Sequence, residues 1–291
     1  MSLRRPNVCS PPNAAAVHYL TACLVFKDSA PYLDEWIRFH LAVGFEHLYL
    51  YDNDSSDDCA SVVRPFVARR QVTLHKWPGI GQQTNVFQNC LDTYRKSARW
   101  IAFIDDDEFL FPAEKNNLQD ILPEYERHAG LAICWLLVGS NGHRIRPRGL
   151  VTDNYFRRAA WIDRHVKCIV DPSKVTAPEI AAHAFRCLDG AQIVDENHRA
   201  IVGPFSENPS ADVVCLNHYL IKSHEEMRQR RTRRWVDGTT PILSIEQWEA
   251  FDRDYNAVED RRIQRFTRII KRQQLLARFN PFLSRPRNGS R

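Results

Sequence analysis

The stretch that most constrains this chain is Trp100 to Pro112, WIAFIDDDEFLFP. Five of its first six residues are apolar, the pattern of a strand buried on both faces of a parallel sheet, and then Asp105, Asp106, Asp107 and Glu108 follow without a break. In open α/β sheets ligands collect outside the carboxyl ends of the strands, so acids placed there face a ligand crevice. Alternation along an extended chain sets Asp105 and Asp107 on one side and Asp106 on the other. Two carboxylates on one side suit a hard divalent cation that keeps positions open for a substrate's phosphates. The alternative is an acidic, solvated strand end. The apolar run that resumes at Phe109, Leu110 and Phe111 argues against it.

A chain of 291 residues that is 44% hydrophobic can bury one large α/β core, and nothing demands two domains. The expected organisation is a flexible arm over residues 1–16, one domain over 17–258 and a basic amphipathic tail over 259–291. No window of about 18 uncharged apolar residues exists, and the N-terminal stretch lacks the long apolar core of a signal peptide. A cytoplasmic location is therefore expected. Eight cysteines are scattered without CxxC or finger spacing and read as reduced core thiols. The formal net charge is +5, yet Arg261 to Arg291 alone holds ten Lys/Arg and no acid, so the preceding 260 residues are net acidic. That split speaks against a nucleic-acid-binding body, which would spread its cations over the fold. It suits contact of the tail with an anionic membrane surface or a partner.

In chain order, His18 to Phe26 reads as a strand, and Pro31 lies in the first turn of a helix that Gly44 ends. His47 to Tyr51 is a second strand closing on Asp52 and Asn53, and Ser55 to Asp58 caps a helix to Val67. Val72 to Trp77 makes a third strand, Gln82 to Ser97 a helix with Gln83 and Asn89 toward the crevice, and Trp100 to Asp105 a fourth strand. Short β-α-β-α-β-α-β connections force a parallel, right-handed, doubly wound sheet. No GxGxxG follows the first strand, so polar loops after strands one and two must bind any nucleotide. Lys27 can offset diphosphate charge and Asp52 can accept from a base or ribose, while turn chemistry and capping are the alternative for Asp52 and Asn53.

The segments KDSAPYLDEWIRFHLAVGFEHLYLYDNDSSDD, QTNVFQNCLDTYRKSARWIAFIDDDEFLFP and NHYLIKSHEEMRQR, in that order across Cys23 to Arg230, resemble glycosyltransferase family 92 and its bacterial family 2-like relatives. The resemblance implies a GT-A fold, a single Rossmann-like doubly wound mixed sheet with helices on both faces. It also implies an inverting transfer from a UDP-sugar with Mn2+ or Mg2+. Lys27 and Asp28 stand at the family's Lys-Asn-Glu loop, with Asp28 and Ser29 as departures, and Asp52 and Asn53 stand at its Tyr-Asp-Asn. Gln83 matches a family position, and Asp105 and Asp106 join the donor site. His218 matches the late histidine that completes a metal site with Asp105 and Asp107, and imidazole is acceptable beside two carboxylates. Lys222 can then neutralise the leaving diphosphate.

Leu118 to His128 is expected as an amphipathic helix, and Leu131 to Val138 as a buried strand running into Ser140, Asn141, Gly142 and His143. That polar loop resembles the family's Ser-Gly-His and is a place for an acceptor sugar. Lys167 to Val175 and Ile180 to Phe185 read as irregular strands carrying His183, an acceptor-side or purely structural histidine. An inverting displacement needs a carboxylate to take the acceptor proton. Asp153, which corresponds to a family acid, is the first candidate, with helix capping as its alternative. Asp163 is the reserve, and Asp195 and Glu196 rank behind it. Ile263, Phe266, Ile270 and Leu276 form an apolar stripe in the tail, suited either to an anionic lipid interface or to packing on the domain.

The expected function is an inverting, metal-dependent GT-A transfer from a UDP-sugar to a glycan or lipid-linked acceptor, in polysaccharide biosynthesis. A peripheral place at the inner face of the membrane goes with it. The rivals are a retaining transferase, a phosphohydrolase of the haloacid dehalogenase type and a non-catalytic carbohydrate-binding protein.

Overall fold

The computed structural model describes residues 18–180, 182–231 and 244–279. The arm expected over residues 1–16 and the tail beyond 279 lie outside them. β1 (His18–Phe26), α1 (Ala30–Ala42), β2 (His47–Asp52), α2 (Cys59–Ala68), β3 (Val72–Lys76), α3 (Gln83–Tyr94) and β4 (Ala98–Phe103) form the expected alternating run. β1 pairs in parallel with both β2 and β4, and β2 with β3. The elements that follow are β5 (Glu108–Pro112), β6 (Gly130–Leu137), α4 (Val151–Asn154), β7 (Arg157–Arg158), β8 (Val166–Val170), β9 (Val175–Glu179), β10 (Ala184–Cys187), β11 (Ile193–Val194), β12 (Val214–His218), α5 (His224–Arg231), α6 (Ile245–Tyr255), β13 (Val258–Glu259) and α7 (Gln264–Phe279).

The strands order as β3-β2-β1-β4-β8-β6-β12-β5, with β11 added beside β6. β8 is antiparallel to both neighbours and β5 is antiparallel to β12, so the sheet is mixed. Alternate residues of β1 feed two cores. Leu20, Ala22, Leu24 and Phe26 pack with Trp36, Phe39, Phe66, Phe266 and Ile270, while Cys23 and Val25 pack with Val86, Phe87 and Leu91 of α3. Helices thus cover both faces, as a period-two strand buried on both sides requires.

α1 ends because Gly44 takes φ +110°, and a Cβ there would meet the Asn117 amide at 1.9 Å. Three local expectations change. Leu118 to His128 is two 3-10 turns, Leu118–Asp120 and Leu122–Tyr125, because Pro123 cannot continue an α-helical ladder. α2 starts at Cys59 with no cap bond from Asp58, and Asp57 takes the Cys59 amide at 3.3 Å on one oxygen and the Ala30 amide at 2.8 Å on the other, tying the starts of α2 and α1 together. α4 has Leu150 at its N-cap, so Asp153 lies inside the turn and caps nothing.

The tail reading also changes. Ile263, Phe266 and Ile270 are within 1% of full burial, in the same core as α1. The Phe266 ring packs edge-on to Phe39 at 5.7 Å, and the Arg265 guanidinium donates to the carbonyl oxygens of Pro112, Ala113 and Lys115. These three residues of the stripe are part of the domain core and are not available to a membrane. Leu276 alone of the four is exposed, with Ile269 and Leu275 beside it.

Candidate active site

The acidic tip sits where β4 ends, and its three aspartates part company. Asp105 is held on both oxygens: Gln83 Nε2 donates to Oδ1 at 2.8 Å and Lys167 Nζ approaches Oδ2 at 2.8 Å. Asp106 accepts from the Ser29 hydroxyl at the head of α1. Asp107, 4% exposed, brings Oδ1 to 3.6 Å from His218 Nε2 at the end of β12. The β12–β5 register sets His218 opposite Glu108, and the Asp107 carbonyl oxygen accepts from the Tyr219 amide at 2.8 Å, so backbone pairing fixes this approach. The expected set of Asp105, Asp107 and His218 is therefore not assembled. Among the described residues no three His, Cys, Asp or Glu side chains gather to hold a metal. Asp107 and His218 fit as a two-point site, which suits Mn2+ or Mg2+ sharing its shell with substrate phosphates. His218 Nδ1 is buried without a hydrogen-bond partner among the described residues.

Lys167, on β8 and 1% exposed, is the residue the linear reading missed. Burial opposes its charge, but Asp105 and Glu108 overcome that and raise its pKa, so it stays an ammonium. Glu108 is fully buried. Its oxygens take the Asp105 amide at 2.8 Å and Trp135 Nε1 at 2.6 Å, and burial pushes its pKa up to about 7 against the pull of Lys167. The available signal was a single Lys at an inward position of an otherwise apolar strand, VKCIV.

The loops after β1 and β2 are wired to each other. Asp28, in the left-handed region at φ 50°, accepts from the Ser56 amide at 2.6 Å and from its hydroxyl at 3.0 Å. Asp52 accepts from the Ser55 amide at 2.8 Å and pairs with Lys76. Asn53 donates to the Trp77 and Gly79 carbonyl oxygens at 2.7 and 2.8 Å. Turn chemistry thus accounts for Asp52 and Asn53, and Asp28 serves the same scaffold. Asn89 takes the Tyr51 hydroxyl at 3.0 Å, which engages its side-chain oxygen within the fold. Glu226 of α5 accepts from Tyr32, from Tyr155 at 2.8 Å and from the Ser223 hydroxyl at 2.6 Å. Burial works against its charge, and these bonds outweigh it and hold the pKa below the usual range. They place Lys222 Nζ 4.8 Å from the Tyr32 ring, on the helix whose Ser29 cap holds Asp106.

The expected acceptor loop is structural. Ser140 gives its amide and its hydroxyl to Asp252, both at 2.6 Å. The Asn141 side-chain Oδ1 accepts from the Phe156 and Arg157 amides, and Gly142 N donates to Ser140 Oγ at 3.0 Å. His143 lies 3.3 Å from the Asn154 carbonyl oxygen. These contacts pin α6 and leave Ser140, Asn141 and Gly142 little to offer a ligand. Asp153 pairs with Lys271 of α7, and its carbonyl oxygen takes Gln264 at 3.2 Å, which ties it to that helix. Asp195 and Glu196 bind backbone amides around residues 197–214.

Asp163 is linked to His218 through His165 and Trp135. Its Oδ1 takes the backbone amide of His165 at 2.9 Å and the ring Nδ1 at 2.7 Å. The His165 ring stacks on Trp135 at 4.8 Å. Trp135 also meets His218 at 4.3 Å and His183 at 5.2 Å. His183 Nδ1 bonds the Val166 carbonyl oxygen at 2.6 Å, and burial lowers its pKa to about 4. His183 also lines a cavity of about 240 Å³ with Cys168, Phe185, Ile201 and Val202.

A mixed sheet with helices on both faces thus carries these acids and His218 at the carboxyl ends of its strands. The sequence profile of glycosyltransferase family 92 matches residues 18–202, and the chain belongs to that family. A glycosyltransferase family 92 protein of Ricinus communis is 29% identical over 226 residues, covering 75% of this chain and 38% of that protein. A galactan β-1,4-galactosyltransferase of Arabidopsis thaliana is 28% identical over 125 residues, 40% of this chain and 24% of its own length. The chain spans under two fifths of the length of these curated relatives. Among solved structures, S. aureus TarS 1–349 in complex with UDP-GlcNAc overlaps 91% of this chain and 75% of its own, at TM-score 0.40 and 11% identity.

Proposed function

We propose that this chain transfers a sugar, with inversion, from a UDP-sugar to a hydroxyl of a glycan. The observation that carries the reading is the Asp107–His218 approach at the carboxyl end of the sheet, inside a family whose members are glycosyltransferases. Asp107 and His218 would hold Mn2+ or Mg2+, which when bound supplies positive charge to the leaving diphosphate. Lys167 and Gln83 hold Asp105 in one rotamer, so that its carboxylate is a fixed acceptor for a donor hydroxyl. Lys222, stationed over Tyr32, brings a second cation toward the diphosphate side. The galactan β-1,4-galactosyltransferase relative makes UDP-galactose the first donor to try. Location at the inner face of a membrane, with a lipid-linked acceptor, now rests on the outer side of α7, where Ile269, Leu275 and Leu276 are exposed beside Arg268 and Arg272.

The test is a thermal-shift and UDP-release screen of UDP-galactose, UDP-glucose and UDP-GlcNAc with Mn2+, read with and without chelator. Asp107→Asn should keep the parent melting temperature and lose the metal-dependent donor shift, with turnover down at least 10²-fold, the scale of losing one preorganised electrostatic contact. If no donor shifts the protein and no UDP is released, or if Asp107→Asn stays fully active, the reading falls.

A further inference from the structure

The acids considered as a base are all engaged, but not alike. Asp105 is taken by Gln83 and Lys167, and Glu108 by the Asp105 amide, Trp135 and full burial. Asp107 faces His218, and Asp153 is paired with Lys271. Asp163 differs in what it holds. Its carboxylate takes Nδ1–H of His165, which fixes the tautomer and leaves Nε2 as the basic atom. No described residue bonds that Nε2, and the His165 side chain is 41% exposed. The two His165 strand neighbours fix its place: its carbonyl oxygen takes the Trp135 amide at 3.1 Å, and its backbone bridges to Phe205. His165 and His218 thus lie against the same Trp135 ring.

We infer that the Asp163–His165 pair is the base for the acceptor, and that the acceptor is a neutral pyranose; the inference rests on the glycosyl-transfer reading above. One exposed aromatic ring lies against the pair, and a second, packed edge-on to Tyr255 at 6.1 Å, stands two residues before it in the chain. Trp161, two residues before Asp163, is 47% exposed, and Phe205, 45% exposed, sets its ring 4.5 Å from that of His165. Large rings left open beside a polar pair suit the C–H face of a sugar, with its hydroxyls turned to the imidazole. The acceptor O–H proton passes to His165 Nε2 as the acceptor oxygen bonds the anomeric carbon. The bond from that carbon to the diphosphate oxygen breaks, and its electron pair leaves on UDP. Asp163 acts as a positioning residue: it stabilises the imidazolium until the proton returns to solvent. His183 is less suited, because burial depresses its basicity and Val166 holds its ring.

The full chain is assayed with the active UDP-sugar and a β-1,4-galactopentaose acceptor, with donor affinity measured separately by calorimetry. His165→Gln should bind donor within about twofold of the parent and lose about 10²-fold in kcat, the usual scale of a general base. His165→Gly should show the same loss, and added imidazole should restore transfer about tenfold or more, which a merely structural histidine would not allow. Trp161→Ala should raise the acceptor KM and spare kcat. Transfer by His165→Gln within about threefold of the parent, or no rescue of His165→Gly with donor affinity intact, overturns the base and leaves the glycosyltransferase reading standing. A parent chain that binds no donor overturns both.

Discussion

At the scale of the residue, Lys167 shows what holds the tip in shape. An ammonium enclosed at 1% exposure, with buried Glu108 at 3.9 Å and the partly exposed Asp105 at 2.8 Å, stabilises two acids that would otherwise repel. Removing one partner of a buried pair costs far more than the pair contributes net. Lys167→Met should therefore lower unfolding free energy by about 3–5 kcal/mol, read as a lower urea midpoint at unchanged m-value. An unchanged midpoint would mean that the two acids do not depend on it. This contact was hidden in the sequence because Lys167 reaches Asp105 across 62 positions, whereas spacing arguments see only neighbours along the chain.

At the scale of the element, α1 carries the pH response. His40 is fully buried on it, with Nδ1 2.8 Å from the Trp36 carbonyl oxygen and Nε2 accepting from the Leu110 amide of β5 at 3.3 Å. One nitrogen donates and the other accepts, so only the neutral ring fits, and burial lowers its pKa to about 3. The folded pKa lies below the unfolded value of about 6.5, so the folded state excludes a proton that the unfolded state binds. The stability from this group is complete above pH 6.5 and is lost as the pH falls, by about 1.4 kcal/mol per unit. His47, lowered to about 4 by burial, adds in the same direction. His183, lowered to about 4, adds again, while buried Glu108, raised to about 7, acts in the opposite sense. Denaturation from pH 7.5 to 5.5 should show a net fall that is shallower in His40→Gln, and equal slopes in the two would remove the assignment.

At the scale of the molecule, α7 is a structural strut. It lies against α1 and α4, and its Arg265 closes on the end of β5. A chain ending at Asp260 should fail to fold cooperatively, because it leaves Phe39 and Phe111 without the Phe266 ring that meets them at 5.7 and 6.2 Å. Circular dichroism melting of that chain checks this, and a melt matching the full chain would make α7 an appendage after all. The alternating half of the sheet was legible because its periodicity is local: His18 to Phe26 is β1 to the residue. The antiparallel insertion of β8 between β4 and β6 was not, since pairing direction leaves no mark on a short apolar run. The resemblance had singled out Asp107 and His218 together with Asp105, and the structure brings the first two to 3.6 Å without the third. The occupied roles of Asp28, Asp52, Asn53, Asp153 and the Ser140–Gly142 loop were not legible, because their partners arrive from distant segments.

The ring contact between Phe39 and Phe266 also sets a clock. On a ribosome making about 5–20 residues per second, Phe266 emerges on the order of 10–50 s after Phe39. Throughout that interval one wall of the larger core stands open to whatever chaperone or neighbouring nascent chain meets it first. The sheet can pair its first four strands during synthesis, but the face bearing α1 closes only afterwards. The yield of native protein therefore depends on how long that aromatic surface stays soluble while it waits.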